Sequence, residues 1–319
     1  MSTFVHQIKL QSEQRFAGKL PPHHIGLLLA EVPVAMRAAV SMALRNRSRV
    51  QGRQPAWLDR AADVRFVDHE SNGITTLFFE APCLGDAASE IYRQQELPGF
   101  STRPVPEDTA FDLWGDVLDV VQQRDADSER YDHALLDRIT RFQRVFGKRS
   151  PFTEIDLTSR RYSPGQPARF TPATIESAKS LLGRTPAPQR IRLVGQLDGI
   201  EASTQRLSLL LDGGEKVVGV FADDQIDAMQ QLWRKRVLVL GTAIYRASGR
   251  LLRIDAEVVK PGEDEASVFT RLPTPSQAKL DLSRLRKPQG PRSGMAAIMG
   301  QWPGDESDEE VQLALERLS

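Results

Sequence analysis

Three groups of residues have side chains capable of chemistry. Asp68, His69 and Glu70 sit at the lip of a turn, and with His23 and His24 they offer metal-ligand atoms. No recognised ligand spacing joins them, and adjacent histidines do not readily face one ion, so ordinary turn polarity is the expected reading. Asp255, Glu257 and Lys260 bear a loose likeness to a metal-dependent nuclease set, although any amphipathic strand would put both carboxylates on one face. Arg45, Arg47, Arg49 and Arg53 cluster at and beyond a helix end. They could hold a phosphate, or they could answer the negative end of the helix dipole, which is the expected role. His133 falls beside an apolar helical stripe and reads as helix surface. The sequence contains no phosphate-cradling glycine loop, dinucleotide fingerprint, paired zinc cysteines, nucleophile elbow or kinase motif. A non-enzymatic binding protein without metal or cofactor is therefore expected.

The chain has 319 residues, enough for two or three domains, and its 42 Lys and Arg balance 42 Asp and Glu. No global charge draws it to nucleic acid or to an anionic membrane. The single Cys83 excludes an internal disulfide framework and fits a reducing compartment. Residues 1–14 lack a basic start followed by a long apolar core, and no run approaches the roughly 20 apolar residues that span a bilayer. A cytoplasmic protein with no membrane association is expected.

These residues must be positioned by elements the sequence outlines in order. Ile25 to Arg47 is apolar and helical, with Pro33 expected to start the main helix. Val64–Val67 and Ile74–Glu80 flank Ser71-Asn72-Gly73 as a hairpin. Asp108 is the expected cap of a helix carrying Phe111, Trp114, Val117, Leu118 and Val121 on one stripe. Ser128 is the expected cap of the next, with Tyr131, Leu135, Ile139, Phe142 and Phe146 buried and Gly147 as its stop. Together these predict an α+β domain over 1–150.

Residues 151–188, broken by Pro151, Pro164, Pro167, Pro186 and Pro188, predict a linker. One short helix interrupts it, with Thr171 as cap, Pro172 at its first position and Gly183 as stop. Strands are then expected at Arg190–Leu197, Arg206–Leu211 and Lys216–Phe221, the last two joined by Asp212-Gly213-Gly214. Asp223 is the expected cap of a helix with Ile226, Met229 and Trp233 on one face, which should plug one barrel end. Val237–Leu240, a bend at Gly241, and the alternating strand Leu252–Val258 complete the module.

Three strands, a helix and two strands is the order of the OB-fold, so 189–262 resembles that five-stranded Greek-key barrel. The resemblance implies single-stranded nucleic-acid binding or a protein-docking role, and by itself assigns no residue. A strand-binding barrel needs basic groups and stacking platforms, for which Arg192, Arg206, Tyr245, Arg246 and Arg253 are the candidates. Acidic residues such as Asp198, Asp212 and Glu257 offset them, so nucleic acid is the less favoured ligand.

Residues 263–319 read as a linker and a partner-binding tail. Arg284 to Arg292 is basic and loop-like, and the chain ends with Val311, Leu315 and Leu318 at helical spacing behind a cap at Ser307. A helix this short is marginal alone and orders against another surface. The segment Trp302-Pro-Gly-Asp-Glu-Ser-Asp-Glu-Glu310 resembles the C-terminal tails of bacterial antitoxins paired with PIN-domain ribonuclease toxins. That resemblance implies that Met295, Ile298, Met299, Trp302, Pro303, Asp305, Glu306, Val311, Leu315 and Leu318 contact a toxin and obstruct its active site. The resemblance covers about 25 residues; the rest departs from the small DNA-binding antitoxin. The expected function is an antitoxin-like protein that captures such a toxin. The rival is an OB-fold single-strand binder whose acidic tail folds back on its own basic groove.

Overall fold

The computed structural model describes residues 2–13, 20–49, 54–93, 103–147, 150–222, 225–262, 270–272, 274–275 and Glu309. The chain divides into two compact units, Met1–Ser276 and Gln277–Ser319. The first is α+β, with helices and two five-stranded sheets.

The first sheet contains β1 (Thr3–Ser12), β2 (Arg65–Ser71), β3 (Thr75–Pro82), β4 (Phe152–Thr158) and β5 (Ala168–Phe170), in the order β2-β3-β1-β4-β5. Every pairing is antiparallel. The centre is β1, whose buried His6, Ile8 and Leu10 alternate with Gln7, Lys9 and Gln11. The hairpin β2–β3 turns where Gly73 takes a φ of 81°, a backbone that glycine adopts without penalty.

Helix α1 (Pro22–Arg45) starts with a proline at its first turn and continues through Pro33. The expected start at Pro33 is thus corrected. Proline removes one helical hydrogen bond, but burial of Val32, Ala35, Met36, Ala39 and Val40 holds both halves in one rod. Among the described residues, α1 is long and apolar enough to cross a membrane, unlike the reading above; 56% of its apolar window is buried inside the protein, as in a core helix. Short helices α2 (Ala56–Ala61), α3 (Leu84–Ala87) and α4 (Ser89–Tyr92) follow.

Helix α5 (Ala110–Gln122) is capped by Thr109 in a capping box with Asp112, not by Asp108. Asp108 is fully buried and binds Arg160 and Arg161 instead. Helix α6 (His133–Arg141) is capped by Asp132, not Ser128. Both shifts occur where several cap-capable residues stand together, and backbone geometry selects among them.

The stretch 151–188 is not a bare linker. It supplies β4, β5 and α7 (Pro172–Arg184), and buries Phe152, Ile155, Leu157, Phe170, Ile175, Ala178 and Leu181 in the core that α1, α5 and α6 share. Thr171 caps α7 as expected, and the helix runs one residue past Gly183.

The second sheet holds β6 (Gln189–Glu201), β7 (Arg206–Leu210), β8 (Lys216–Val220), β9 (Arg236–Tyr245) and β10 (Leu251–Pro261), with α8 (Ile226–Gln230) between β8 and β9. It closes: β10 pairs parallel with β8 and antiparallel with β9, and β9 returns to β6. Leu193, Leu197, Leu207, Leu209, Val217, Phe221, Met229, Val237, Val239 and Ile254 fill it. Trp233 does not serve as the plug. It lies beyond α8, is 53% exposed and stacks under Arg234 at 5.0 Å, while Leu232 takes the buried position. Gly241 permits close strand contact, since a Cβ there would sit 2.3 Å from the Asp255 carbonyl oxygen. The alternation of β10 breaks at a register shift between Ala256 and Val258, leaving Val258 exposed.

Candidate functional site

The end of α1 sets the geometry. Asn46 ends the helix in the left-handed conformation at φ 56°, and the Ser41 hydroxyl donates to the Arg47 carbonyl at 2.6 Å. The chain turns back, carrying Arg45, Arg47 and Arg49 towards the closed sheet. Asn is among the few residues that enter this region cheaply, so the turn is written into the Arg-Asn-Arg-Ser-Arg run.

A cavity of about 590 Å³ opens between that turn, the start of α6 and strands β9 and β10. Arg45, Arg47, Arg49, Arg253, Asp132, Asp255 and Glu257 are its charged walls, with Phe221, Ala222, Ile244 and Pro188 as apolar lining. Arg45, Arg47 and Arg253 are buried, and Arg49 is exposed. Arg45 donates to the Gln205 side chain, and Arg47 lies 3.5 Å from Asp255. Arg253 donates from Nε to Asp255 at 2.8 Å and from Nη1 to Asp132 at 3.1 Å.

Asp132 also caps α6 through the Leu135 N–H at 3.0 Å and accepts from the Ser48 N–H at 3.1 Å and the Ser48 hydroxyl. Burial alone would raise its pKa, but Arg253 and these donors outweigh it and hold the carboxyl below its usual range. Burial lowers the pKa of Arg47. The carboxylates of Asp255 and Asp132 oppose that shift, while Arg253 and Arg49 reinforce it.

The five sequence candidates for nucleic-acid contact do not share a face open to bases. Arg192 is exposed on β6. Arg206 is only 2% exposed and binds Glu201 through Nε at 2.9 Å and Nη2 at 2.7 Å, while Arg103 binds the same carboxylate. Tyr245 is 1% exposed, so its ring offers no stacking platform. Arg246 donates to the Asp127 carbonyl at 2.8 Å and to Glu129 at 2.5 Å, fastening the closed sheet to the α5–α6 loop. Arg253 faces the cavity, a placement that follows from its strand, and its partners are Asp255 two residues on and Asp132, 121 positions away.

Asp255 is held by arginines, and Glu257 accepts from Arg190 at 2.5 Å, so this pair is arranged as ion-pair partners. His23 and His24 begin α1, whereas Asp68, His69 and Glu70 lie exposed on β2. Among the described residues no group of three or more His, Cys, Asp and Glu could hold a metal ion. His133 is exposed at the start of α6 and borders the cavity. Met295, Ile298, Met299, Trp302, Pro303, Asp305, Glu306, Val311, Leu315 and Leu318 lie outside the described residues.

Sequence reasoning singled out Arg45, Arg47 and Arg49 but favoured the helix-dipole role. It missed Gln205 and Asp132, for which the only local signal was the capping potential of Asp132. No family model matches the chain, and neither a curated protein nor a solved structure does.

Proposed function

We propose that the chain is an antitoxin-like binding protein of the cytoplasm, without catalytic activity of its own, that captures a PIN-type ribonuclease through its C-terminal segment. The observation that carries this reading is the segment itself. It combines Trp302-Pro303-Gly304, five acidic residues between Asp305 and Glu310, and the apolar repeat Val311, Leu315, Leu318. A large aromatic beside Pro and Gly is the residue type that anchors interfaces. The carboxylates around it would steer the segment to a basic RNA-binding cleft.

The test is co-expression of a PIN-domain ribonuclease encoded beside this chain with the full-length protein and with a form lacking 294–319. Capture and inhibition by the first and loss of both in the second are expected. Equal capture by the two forms would refute the reading.

A second reading is favoured by one observation. The strand order β10-β8-β7-β6-β9, with its parallel β8–β10 closure and a helix before β9, is that of an OB-type barrel. Barrels of that kind often bind single strands. Here the burial of Tyr245 and Arg206 removes two of the expected contacts. Under this reading the acidic tail would be autoinhibitory, and its deletion would strengthen single-strand binding.

A further inference from the structure

A second cavity, of about 440 Å³, adjoins the junction cavity, and the two share Arg49 and Ala134 in their walls. It brings Arg37, Arg138 and Arg141 to the four arginines of the first. The carboxylates in both walls are Asp132, Asp137, Asp255 and Glu257, and Glu257 is engaged by Arg190 from outside either cavity. Seven arginines from α1, the turn after it, α6 and β10 therefore line this pair of adjoining cavities, with Arg37 held by Asp59 and Arg141 by Asp137 at 2.8 Å.

We propose that this arginine-walled hollow binds phosphate, carried either by a free nucleotide or by the backbone of a single-stranded nucleic acid. The planar guanidinium fork matches phosphate oxygens in pairs, and it stays charged when buried. A dipole role at the end of α1 accounts for Arg45 in the last turn. It does not account for Arg47, which is buried against the closed sheet, or for Arg49, which makes no ion pair with a described residue. Arg47 is buried, with Asp255 at 3.5 Å as its ion-pair partner and Arg253 and Arg49 as like-charged neighbours, a position from which a second anion can also be engaged.

The start of α6 borders the same space through Asp132, His133 and Ala134, with Asp132 already capping its first turn. Phe221, Ile244 and Pro188 supply an apolar wall for the part of the ligand that is not phosphate. A volume of about 590 Å³ lies within the range of small-molecule sites. The site uses neither the tail nor the outer face of β6, so its success or failure is independent of toxin capture.

The experiment titrates the full-length protein with inorganic pyrophosphate, a fluorescent adenosine nucleotide and a short labelled single-stranded oligonucleotide. Arg49→Glu is the principal variant, because its exposed side chain leaves folding intact. Arg47→Lys keeps the charge and loses the fork, and Arg65→Glu, on β2 of the other sheet, is an exposed control outside the cavities. At least one probe should bind, with affinity falling about tenfold or more in Arg49→Glu. Arg47→Lys should weaken it less, and Arg65→Glu should leave it unchanged. Binding of pyrophosphate and nucleotide alone assigns a free nucleotide. Oligonucleotide binding with a steep salt dependence assigns a backbone. The proposal is overturned if no probe binds at millimolar concentration, if Arg49→Glu binds as the parent does, or if Arg65→Glu loses as much.

Discussion

Asp132 and Arg253 meet at 3.1 Å, both almost fully buried, and join the cap of α6 to the last strand of the closed sheet. Because Asp132 also holds Ser48, three segments distant in sequence depend on one carboxylate. Asp132→Ala leaves a buried guanidinium without its partner and a helix without its cap, and is expected to cost about 3–5 kcal/mol in denaturant unfolding. The double change with Arg253→Met should cost clearly less than the sum of the two single changes. Additive costs would show that the pair is not coupled.

Arg206 gives the opposite of a ligand-contact phenotype. Its guanidinium and that of Arg103 share buried Glu201. Arg206→Ala should lower the unfolding midpoint, with a cost of at least ~2 kcal/mol. An intact midpoint combined with lost oligonucleotide binding would contradict the structure.

Gly241→Ala forces a Cβ against the Asp255 carbonyl, a backbone atom that cannot swing aside. The expected cost is about 1–3 kcal/mol. Hydrogen exchange should show faster opening along β9 and β10, the strands that close the sheet. Unchanged exchange there would count against this strand pairing.

His6 introduces a pH dependence. It is buried, stacks on Phe111 at 4.4 Å, and burial lowers its pKa to about 4 from 6.5, with Asp112 partly opposing the shift. Between those values the unfolded chain binds the extra proton and the folded chain does not. Stability contributed by the neutral ring is therefore present above pH 6.5 and lost as pH falls towards 4, by on the order of 3 kcal/mol. His6→Leu should flatten that part of the profile. Depression of the Asp132 pKa adds a loss at still lower pH, as that carboxylate is protonated. An unaltered slope between pH 6.5 and 4 in His6→Leu would rule out His6 as its source.

In the C-terminal segment, Trp302→Ala and Leu315→Ala should each weaken toxin capture by about tenfold or more, while the thermal midpoint of the protein stays unchanged. A lowered midpoint with capture intact would instead tie these side chains to the stability of the chain itself.

Local pattern made much of the chain legible. The β2–β3 hairpin follows from its turn residues, the stripes of α5, α6 and α7 from helical spacing, and the strands of the second sheet from alternation, glycine turns and one run apolar on both faces. What escaped was β1, where His6, Ile8 and Leu10 give only a short apolar alternation, and β4 and β5, hidden among prolines. Those strands gain stability from neighbours such as Leu77 and Phe79 rather than from their own propensity. The buried states of Tyr245 and Arg206 escaped for the same reason.

The amino-acid order alone determined the α+β composition, the arginine run beyond α1 and the acidic, tryptophan-bearing end, because each is set by neighbours within a few residues. Tertiary structure decided that Arg47 faces Asp255, that Asp132 holds Arg253, and that seven arginines wall adjoining cavities. Charge pairing acts through space, and partners 121 positions apart leave no mark on the local pattern that sequence reading depends on.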